Sequence, residues 1–123
     1  MSTIMVVDDD PDIAEVFRIF LGSEGHTVVA ADGGIQCLRL LQGFSPDVIL
    51  LDLMMHPMDG WATLKAIKND PQANGIPVII ITGKPQIGNE HETYAALYYD
   101  YMLKPIRKND LCITVARALS SAA

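Results

Sequence analysis

Residues 48–52 read Val48-Ile49-Leu50-Leu51-Asp52, an unbroken apolar run that ends in an acidic residue. Apolar residues here do not alternate with polar ones, a pattern typical of a short strand buried on both faces. Four further runs of the same kind predict strands at residues 3–7, 27–30, 78–81 and 101–103. The five runs together favour a parallel sheet that is covered by helices on both faces.

The intervals between the runs have the length of one helix and two short loops. The runs end near Asp8, Ala30, Asp52, Thr82 and Lys104, at spacings of 22, 22, 30 and 22 residues. A parallel connection needs about a dozen or more residues, which these intervals supply. The sequence therefore predicts an α/β fold with a doubly wound, five-stranded parallel sheet.

Helical periodicity is clearest in the first interval. We expect Asp10 to cap this helix, Pro11 to begin it, and Gly22 or Gly25 to end it. The fourth interval, residues 85–99, gives the weakest helical pattern because Pro85 and a glycine interrupt its start. The residues expected on buried helix faces are Ile13, Val16, Phe17, Phe20 and Leu21, then Cys37, Leu38, Leu40 and Leu41, then Trp61, Leu64 and Ile67, and finally Leu111, Val115, Ala118 and Leu119, with Lys65 and Lys68 facing water.

Composition limits the classes of function that remain open. The 123 residues are 50% hydrophobic and carry a formal net charge of −6, with no cluster of basic residues. We therefore expect no direct nucleic-acid binding, whose affinity comes mainly from clustered positive charge. No apolar run is long enough to span a membrane, and no signal peptide is recognisable. The two cysteines, Cys37 and Cys112, are expected to be buried reduced thiols, which indicates a cytoplasmic protein.

Polar residues follow four of the five predicted strands. Asp8 and Asp9 come after the first strand, Asp52 after the third, Thr82 after the fourth and Lys104 after the fifth. In open α/β sheets, the carboxyl ends of the strands form the ligand-binding edge. We therefore expect these side chains to meet at one site.

Three converging carboxylates repel one another unless a cation neutralises them. Mg²⁺ prefers oxygen ligands and takes only one or two direct carboxylates, and Mn²⁺ is a possible substitute. We expect Asp9 and Asp52 to be direct ligands and Asp8 to act directly or through water. With Lys104 and the Thr82 hydroxyl nearby, the set predicts a phosphoryl-transfer site at which a carboxylate is the nucleophile.

The ordered motifs resemble the receiver domains of response regulators in two-component signalling. The resemblance covers residues 3–119 of a single domain spanning 1–123. It implies a flavodoxin-like (βα)5 fold with strand order 2-1-3-4-5. The motifs that carry the resemblance are Val6-Val7-Asp8-Asp9-Asp10, Val48-Ile49-Leu50-Leu51-Asp52-Leu53, Met58-Asp59-Gly60, Ile80-Ile81-Thr82-Gly83 and Asp100-Tyr101-Met102-Leu103-Lys104-Pro105.

The resemblance also implies a function and further site residues. Asp52 would accept a phosphoryl group from a sensor histidine kinase or phosphorelay protein and lose it slowly. The backbone carbonyl of Met54 would be a further metal ligand, Tyr101 the switch aromatic, and the Lys104–Pro105 peptide cis. A downstream protein or a second copy would bind the face formed by residues 84–119.

The sequence departs from the family pattern at two places. Pro57 comes one position later than usual in the loop after Asp52, which leaves His56 near the site as an ordinary loop residue. Leu97-Tyr98 replaces the usual Gly-Ala pair before Asp100, so we expect an unusual end to the fourth helix.

Two other functions remain open from the residues alone. A Mg²⁺-dependent phosphatase with a covalent aspartyl-phosphate would also use an aspartate after a strand, but it needs a second aspartate where Met54 stands. A receiver-like interaction module that is never phosphorylated would not need the complete set of acidic residues, Thr82 and Lys104. The sequence therefore favours the phosphoacceptor, which regulates its own phosphorylation state but is not otherwise an enzyme.

Overall fold

The computed structural model describes residues 2–86 and 88–121, in which strands and helices alternate along the chain. The strands are β1 (Thr3–Val7), β2 (Thr27–Ala31), β3 (Val48–Leu51), β4 (Val78–Thr82) and β5 (Asp100–Leu103). The helices are α1 (Pro11–Gly22), α2 (Gly34–Leu40), α3 (Gly60–Asn69), α4 (Asn89–Tyr94) and α5 (Lys108–Ser121).

All strand pairs in the sheet are parallel, and the strand order is β2-β1-β3-β4-β5. This confirms the fold class and the strand order that the sequence predicted. Val7 lies opposite both Ala31 and Leu51, and Thr82 lies opposite Leu103. The carboxyl ends of the strands are therefore level, which brings the residues that follow β1, β3 and β5 to one edge.

Each face of the sheet has its own core because successive strand residues point to opposite sides. On one face, Met5 and Val7 pack in a cluster with buried residues of α2 and α3. On the other face, Ile4 and Val6 pack with buried residues of α1 and α5. The sheet is thus buried on both sides, which explains why its strands do not alternate apolar and polar residues.

Helix α1 begins as predicted, and its buried stripe matches the prediction except at Val16. The Asp10 carboxylate accepts a hydrogen bond from the Asp12 N–H at 2.9 Å, which caps the helix. The buried residues are Ala14, Phe17 and Leu21, whereas Val16 is 41% exposed. The prediction for Val16 is wrong because it lies one position away from the i, i+3, i+7 stripe that faces the sheet.

Lys68 is another correction, since it is half-buried instead of facing water. Its ammonium group donates hydrogen bonds to the backbone carbonyls of Asn74 at 3.1 Å and Ile76 at 2.8 Å. These carbonyls belong to the loop between α3 and β4. Lys68 therefore ties that loop to the end of α3, a role that helical periodicity alone does not reveal.

The fourth helix is much shorter than the interval of residues 85–99. It covers only Asn89–Tyr94 and buries none of its residues. Tyr98 and Tyr99 consequently lie in the connection to β5 and not in the helix. Among the helices in the described ranges, none combines the length and apolarity needed to cross a bilayer.

The two cysteines differ in their surroundings. Cys37 is a free, fully buried thiol, and burial raises its pKa to about 12. Cys112 is also free but only half-buried, so the prediction of two buried thiols is wrong for this residue. Its position on α5 faces the end of α1, where its Sγ lies 3.8 Å from the Phe20 carbonyl oxygen.

Candidate functional site

Asp8 and Asp52 lie side by side at the carboxyl ends of β1 and β3. The Asp8 N–H donates to the Ala31 carbonyl at 3.1 Å, and the Asp52 N–H donates to the Val7 carbonyl at 3.0 Å. These bonds continue the sheet ladder and fix the backbone of both residues. Each aspartate is only 5% exposed. The fold therefore holds two carboxylates in a nearly buried position.

Asp9 completes a group of three carboxylates. Asp8, Asp9 and Asp52 each offer an oxygen within 4.8 Å of the others, and Asp9 is the exposed member. One exposed and two buried oxygen donors suit a hard divalent cation that retains some of its water ligands. The donor set thus fits Mg²⁺.

Lys104 lies against the buried side of this group. Its ammonium nitrogen is 2.8 Å from Asp8 Oδ2 and 3.3 Å from Asp52 Oδ2, and only 23% of its side chain is exposed. Burial by itself lowers the pKa of Lys104, but the hydrogen bond to Asp8 and the charges of Asp52 and Asp8 outweigh it and raise the pKa. Lys104 is therefore a fixed positive charge at the site.

The charge of Asp8 is unfavourable in this position. Burial raises the pKa of Asp8, and the negative charge of Asp52 adds to that effect. The hydrogen bonds from Lys104 and from the Asp10 N–H act in the opposite direction without cancelling it. A bound cation would reduce the repulsion between these carboxylates, which a single lysine does not fully offset.

Both carboxylate oxygens of Asp52 have partners. Oδ2 accepts from Lys104, and Oδ1 accepts from the Met54 N–H at 3.3 Å. Met54 is 61% exposed and carries no polar group on its side chain. The orientation of the Asp52 carboxylate is thus set by one side chain and one backbone group.

Thr82 and Tyr101 are connected through the loop that follows β4. Thr82 is fully buried, and its hydroxyl oxygen accepts from the Lys84 N–H at 3.3 Å. The half-buried Tyr101 donates its hydroxyl to the Lys84 carbonyl at 2.6 Å. Burial raises the pKa of the Tyr101 phenol, with Tyr98 and Asp52 adding to the shift. The Lys84 side chain itself pairs with Glu90 of α4 at 3.1 Å.

Gly60 is a site-supporting residue whose role the sequence did not reveal, although its motif was recognised. A Cβ on Gly60 would collide with the carbonyl oxygen of Asp52 and come within 2.5 Å of the Leu53 Cα. The Gly60 N–H also donates to the Leu53 carbonyl at 3.0 Å. The start of α3 is therefore pressed against the backbone that carries Asp52.

Two further features of this edge were not expected. The Lys104–Pro105 peptide is cis, as the resemblance implied, but the His56–Pro57 peptide is cis as well. His56 is exposed and, with Asp9 and Asp32, lines a cavity of about 490 Å³ next to the carboxylates. The rings of Trp61, Tyr94, Tyr98 and Tyr101 also contact one another near the site, an arrangement that the sequence did not predict.

Known proteins with this arrangement are numerous, and two relatives illustrate their range. Protein PilH of Pseudomonas aeruginosa is 30% identical over 120 residues, which are 98% of this chain and 99% of PilH. RpaA of Synechocystis, a DNA-binding dual master transcriptional regulator, is 33% identical over 119 residues, which are 97% of this chain but 49% of RpaA. The chain thus spans about half the length of RpaA.

Solved structures agree with this relationship. The N-terminal domain of a response regulator receiver protein from Methanoculleus marisnigri is 42% identical, with a TM-score of 0.81 and 98% of each chain covered. The receiver domain of the sensor histidine kinase PA1611 from Pseudomonas aeruginosa is 25% identical, with a TM-score of 0.86 over 97% of this chain and 98% of that domain. That structure was solved with a magnesium ion coordinated in its active-site cleft. The family model of the response regulator receiver domain matches residues 4–116. This chain therefore belongs to the response regulator receiver domains of two-component signalling.

Proposed function

We propose that this chain is a signalling switch whose Asp52 accepts a phosphoryl group from a phosphohistidine on a sensor histidine kinase or phosphorelay protein. The observation that carries the proposal is the environment of the Asp52 carboxylate. It is nearly buried, lies 3.3 Å from the Lys104 ammonium and shares its surroundings with two further carboxylates. Family membership supports the general class of function, and these residues support the chemistry.

Asp52 is the nucleophile in this proposal. One carboxylate oxygen attacks the phosphorus in line, an O–P bond forms, and the P–N bond to the donor imidazole breaks with its electron pair returning to the imidazole nitrogen. Lys104 offsets negative charge on the phosphoryl oxygens. The Thr82 hydroxyl oxygen accepts from the Lys84 N–H, so its own hydrogen can be donated to a phosphoryl oxygen.

Asp8, Asp9 and Asp52 would hold the divalent cation, with the Met54 backbone carbonyl as a further ligand. When bound, Mg²⁺ or Mn²⁺ neutralises negative charge on the carboxylates and on the transferring phosphoryl group. The raised pKa of Asp8 supports this assignment, because the crowded carboxylates are short of positive charge without a cation. The magnesium ion in the PA1611 receiver domain is an independent precedent within the family.

Incubation with acetyl phosphate and Mg²⁺ followed by mass spectrometry tests the proposal. We expect one phosphoryl group on the wild-type chain, mapped to Asp52, and none on Asp52→Ala, which should keep its fold because a carboxylate repulsion is removed. Asp59→Ala is the control, because it removes a nearby carboxylate that caps α3 and is not in the acidic group. This variant should still accept the phosphoryl group. A phosphoryl group on another residue would contradict the assignment of Asp52. Rapid release of phosphate with no stable adduct would indicate a phosphatase. The absence of any reaction would indicate an interaction module that is never phosphorylated.

The output surface is the second part of the proposal. Phosphorylation adds charge and acceptor oxygens near Thr82, and a movement of its hydroxyl would alter the loop that Tyr101 holds through the Lys84 carbonyl. The phosphoryl group would then bias two existing arrangements of the face formed by residues 84–119. We expect Tyr101→Ala to keep phosphorylation at Asp52 but to weaken phosphorylation-dependent self-association, measured by sedimentation. Unchanged association in this variant would contradict the role of Tyr101.

A further inference from the structure

Five aromatic rings from α3, α4, β5 and the connection between α4 and β5 form one group near the site, here called the aromatic cluster: Trp61, His91, Tyr94, Tyr98 and Tyr101. Trp61 and Tyr94 are stacked, with ring centroids 5.0 Å apart and planes 14° from parallel. Tyr98 lies 6.3 Å from Trp61 and 5.7 Å from Tyr101, and its hydroxyl is 2.7 Å from His91 Nδ1. The cluster therefore runs without a break from α3 to β5.

Helix α4 depends on this cluster for its attachment. It has only six residues and none of them is buried, so it has no apolar face of its own in the core. A single short helix is not stable without tertiary contacts. Tyr94 is packed against the buried cluster that contains Trp61, and the stacked pair of rings joins α4 directly to α3.

Trp61 is in turn rigidly connected to the phosphoacceptor loop. It follows Gly60, which contacts the backbone of Asp52 and Leu53 so closely that a side chain would not fit. The Asp59 carboxylate accepts from the Ala62 N–H at 2.8 Å and fixes the first turn of α3. Any shift of the loop backbone after Asp52 must therefore move the start of α3 and the Trp61 ring with it.

The Trp61 ring is placed by packing and not by a hydrogen bond. The residue is 5% exposed, and its indole N–H has no acceptor among the residues that the structure describes. A buried donor without a partner makes an arrangement less favourable, so the stacked position is open to rearrangement. This is the property expected of a contact that changes between two states.

We propose that Trp61 couples the loop after Asp52 to helix α4. In the unmodified chain the Trp61–Tyr94 stack holds α4 against α3; phosphorylation moves the first turn of α3 and loosens the stack. This deepens the proposed function and rests on it, but it assigns the signal a route through α3 that is separate from Thr82 and Tyr101.

Amide hydrogen exchange measured by NMR tests this coupling, and the single tryptophan supplies one indole N–H signal as a reporter. In the wild type, acetyl phosphate with Mg²⁺ should shift the Trp61 indole signal and speed exchange at residues 88–96 by about fivefold. In Trp61→Leu and Tyr94→Leu, the same amides should already exchange fast in the unmodified chain, and phosphorylation should add less than about twofold. Tyr99→Leu is the matched control, because Tyr99 is 40% exposed and outside the aromatic cluster.

Each outcome separates the coupling from the proposed function. Equal exchange of unmodified wild type, Trp61→Leu and Tyr94→Leu at residues 88–96 would contradict the stack as the attachment of α4. Phosphorylated wild type with unchanged exchange there would contradict the coupling alone. A wild-type chain that takes no phosphoryl group would contradict the proposed function and the coupling with it.

Discussion

The negative charge of Asp8 is energetically unfavourable in the folded chain. Its pKa is raised above the ordinary value of 3.8, first by burial and further by the charge of Asp52. A carboxyl group with a raised pKa in the folded state stabilises the fold while it is protonated, and this contribution is lost as the pH rises through the folded pKa. Ionised Asp8 therefore destabilises the metal-free fold at neutral pH.

Replacing Asp8 by Asn should stabilise the metal-free chain at neutral pH, on the order of 1 kcal/mol, because the amide keeps a polar acceptor without the charge. The gain should shrink as the pH falls through the raised pKa of Asp8, where the carboxyl group of the wild type takes up a proton. Urea unfolding in EDTA across this range measures the effect, with Glu24→Gln as a control that removes an exposed charge. A gain that is independent of pH would show that burial of the Asp8 charge is not its cause.

Met54 is predicted to slow loss of the phosphoryl group. Its N–H donates to the Asp52 carboxylate, and its exposed side chain has no polar group that could orient an attacking water. Met54→Asn should therefore speed hydrolysis several-fold, measured as decay of the phosphorylated mass after removal of the donor. Met54→Leu is the matched control and should decay like the wild type. Equal decay in all three chains would contradict this role of the Met54 side chain.

At the scale of elements, the start of α3 is held against the backbone of the site. A methyl group at Gly60 would meet backbone atoms of Asp52 and Leu53, which cannot turn away as a side chain can. We expect Gly60→Ala to lower the free energy of unfolding by about 1–3 kcal/mol, measured by urea unfolding. Gly43→Ala is the control, because no atom lies within 4 Å of a Cβ there. Equal losses in both variants would mean that the contact at Gly60 does not carry the cost.

The elements could be predicted from the sequence to different degrees. All five strands were located within one residue at each end, because strands buried on both faces leave unbroken apolar runs such as Val48–Leu51. Helix α4 was predicted only as a weak pattern over residues 85–99, much longer than the helix itself, because its residues are held by rings from α3 and β5 and carry little periodic signal of their own. Val16 and Lys68 were assigned to the wrong surroundings for a related reason. Helical periodicity predicts which residues share one face of a helix, but it does not predict which parts of the chain cover that face.

At the scale of the whole molecule, topology explains why the meeting of these polar side chains at one edge was predictable. Residues 8, 52 and 104 are far apart in the sequence, but parallel strands with short loops deliver them to one edge, where Lys104 bonds to Asp8 and Asp52. Contacts between loops and helices follow no such rule. The tie from Tyr101 to the Lys84 carbonyl and the close approach of Gly60 to Asp52 depend on backbone positions that no residue pattern encodes.

The whole chain carries a net charge of −6, and three of its carboxylates are crowded at one site. We therefore expect a divalent cation to stabilise the fold as well as to assist phosphoryl transfer. Because Mg²⁺ would bind the folded carboxylate group and not the unfolded chain, it should raise the melting temperature in proportion to the logarithm of its concentration above its Kd. We expect Asp9→Asn to lose most of this rise, since a site with few protein ligands depends strongly on each one.

Glu24→Gln removes the same charge at a residue outside the acidic group and should keep the full rise. Thermal unfolding in EDTA and in increasing Mg²⁺ separates the two variants, and Trp61 fluorescence gives an independent titration because α3 begins against the Asp52 backbone. If Asp9→Asn and Glu24→Gln respond equally to Mg²⁺, the cation acts only by screening the net charge. The stabilisation would then say nothing about coordination by Asp9, and the proposed ligand set would be wrong.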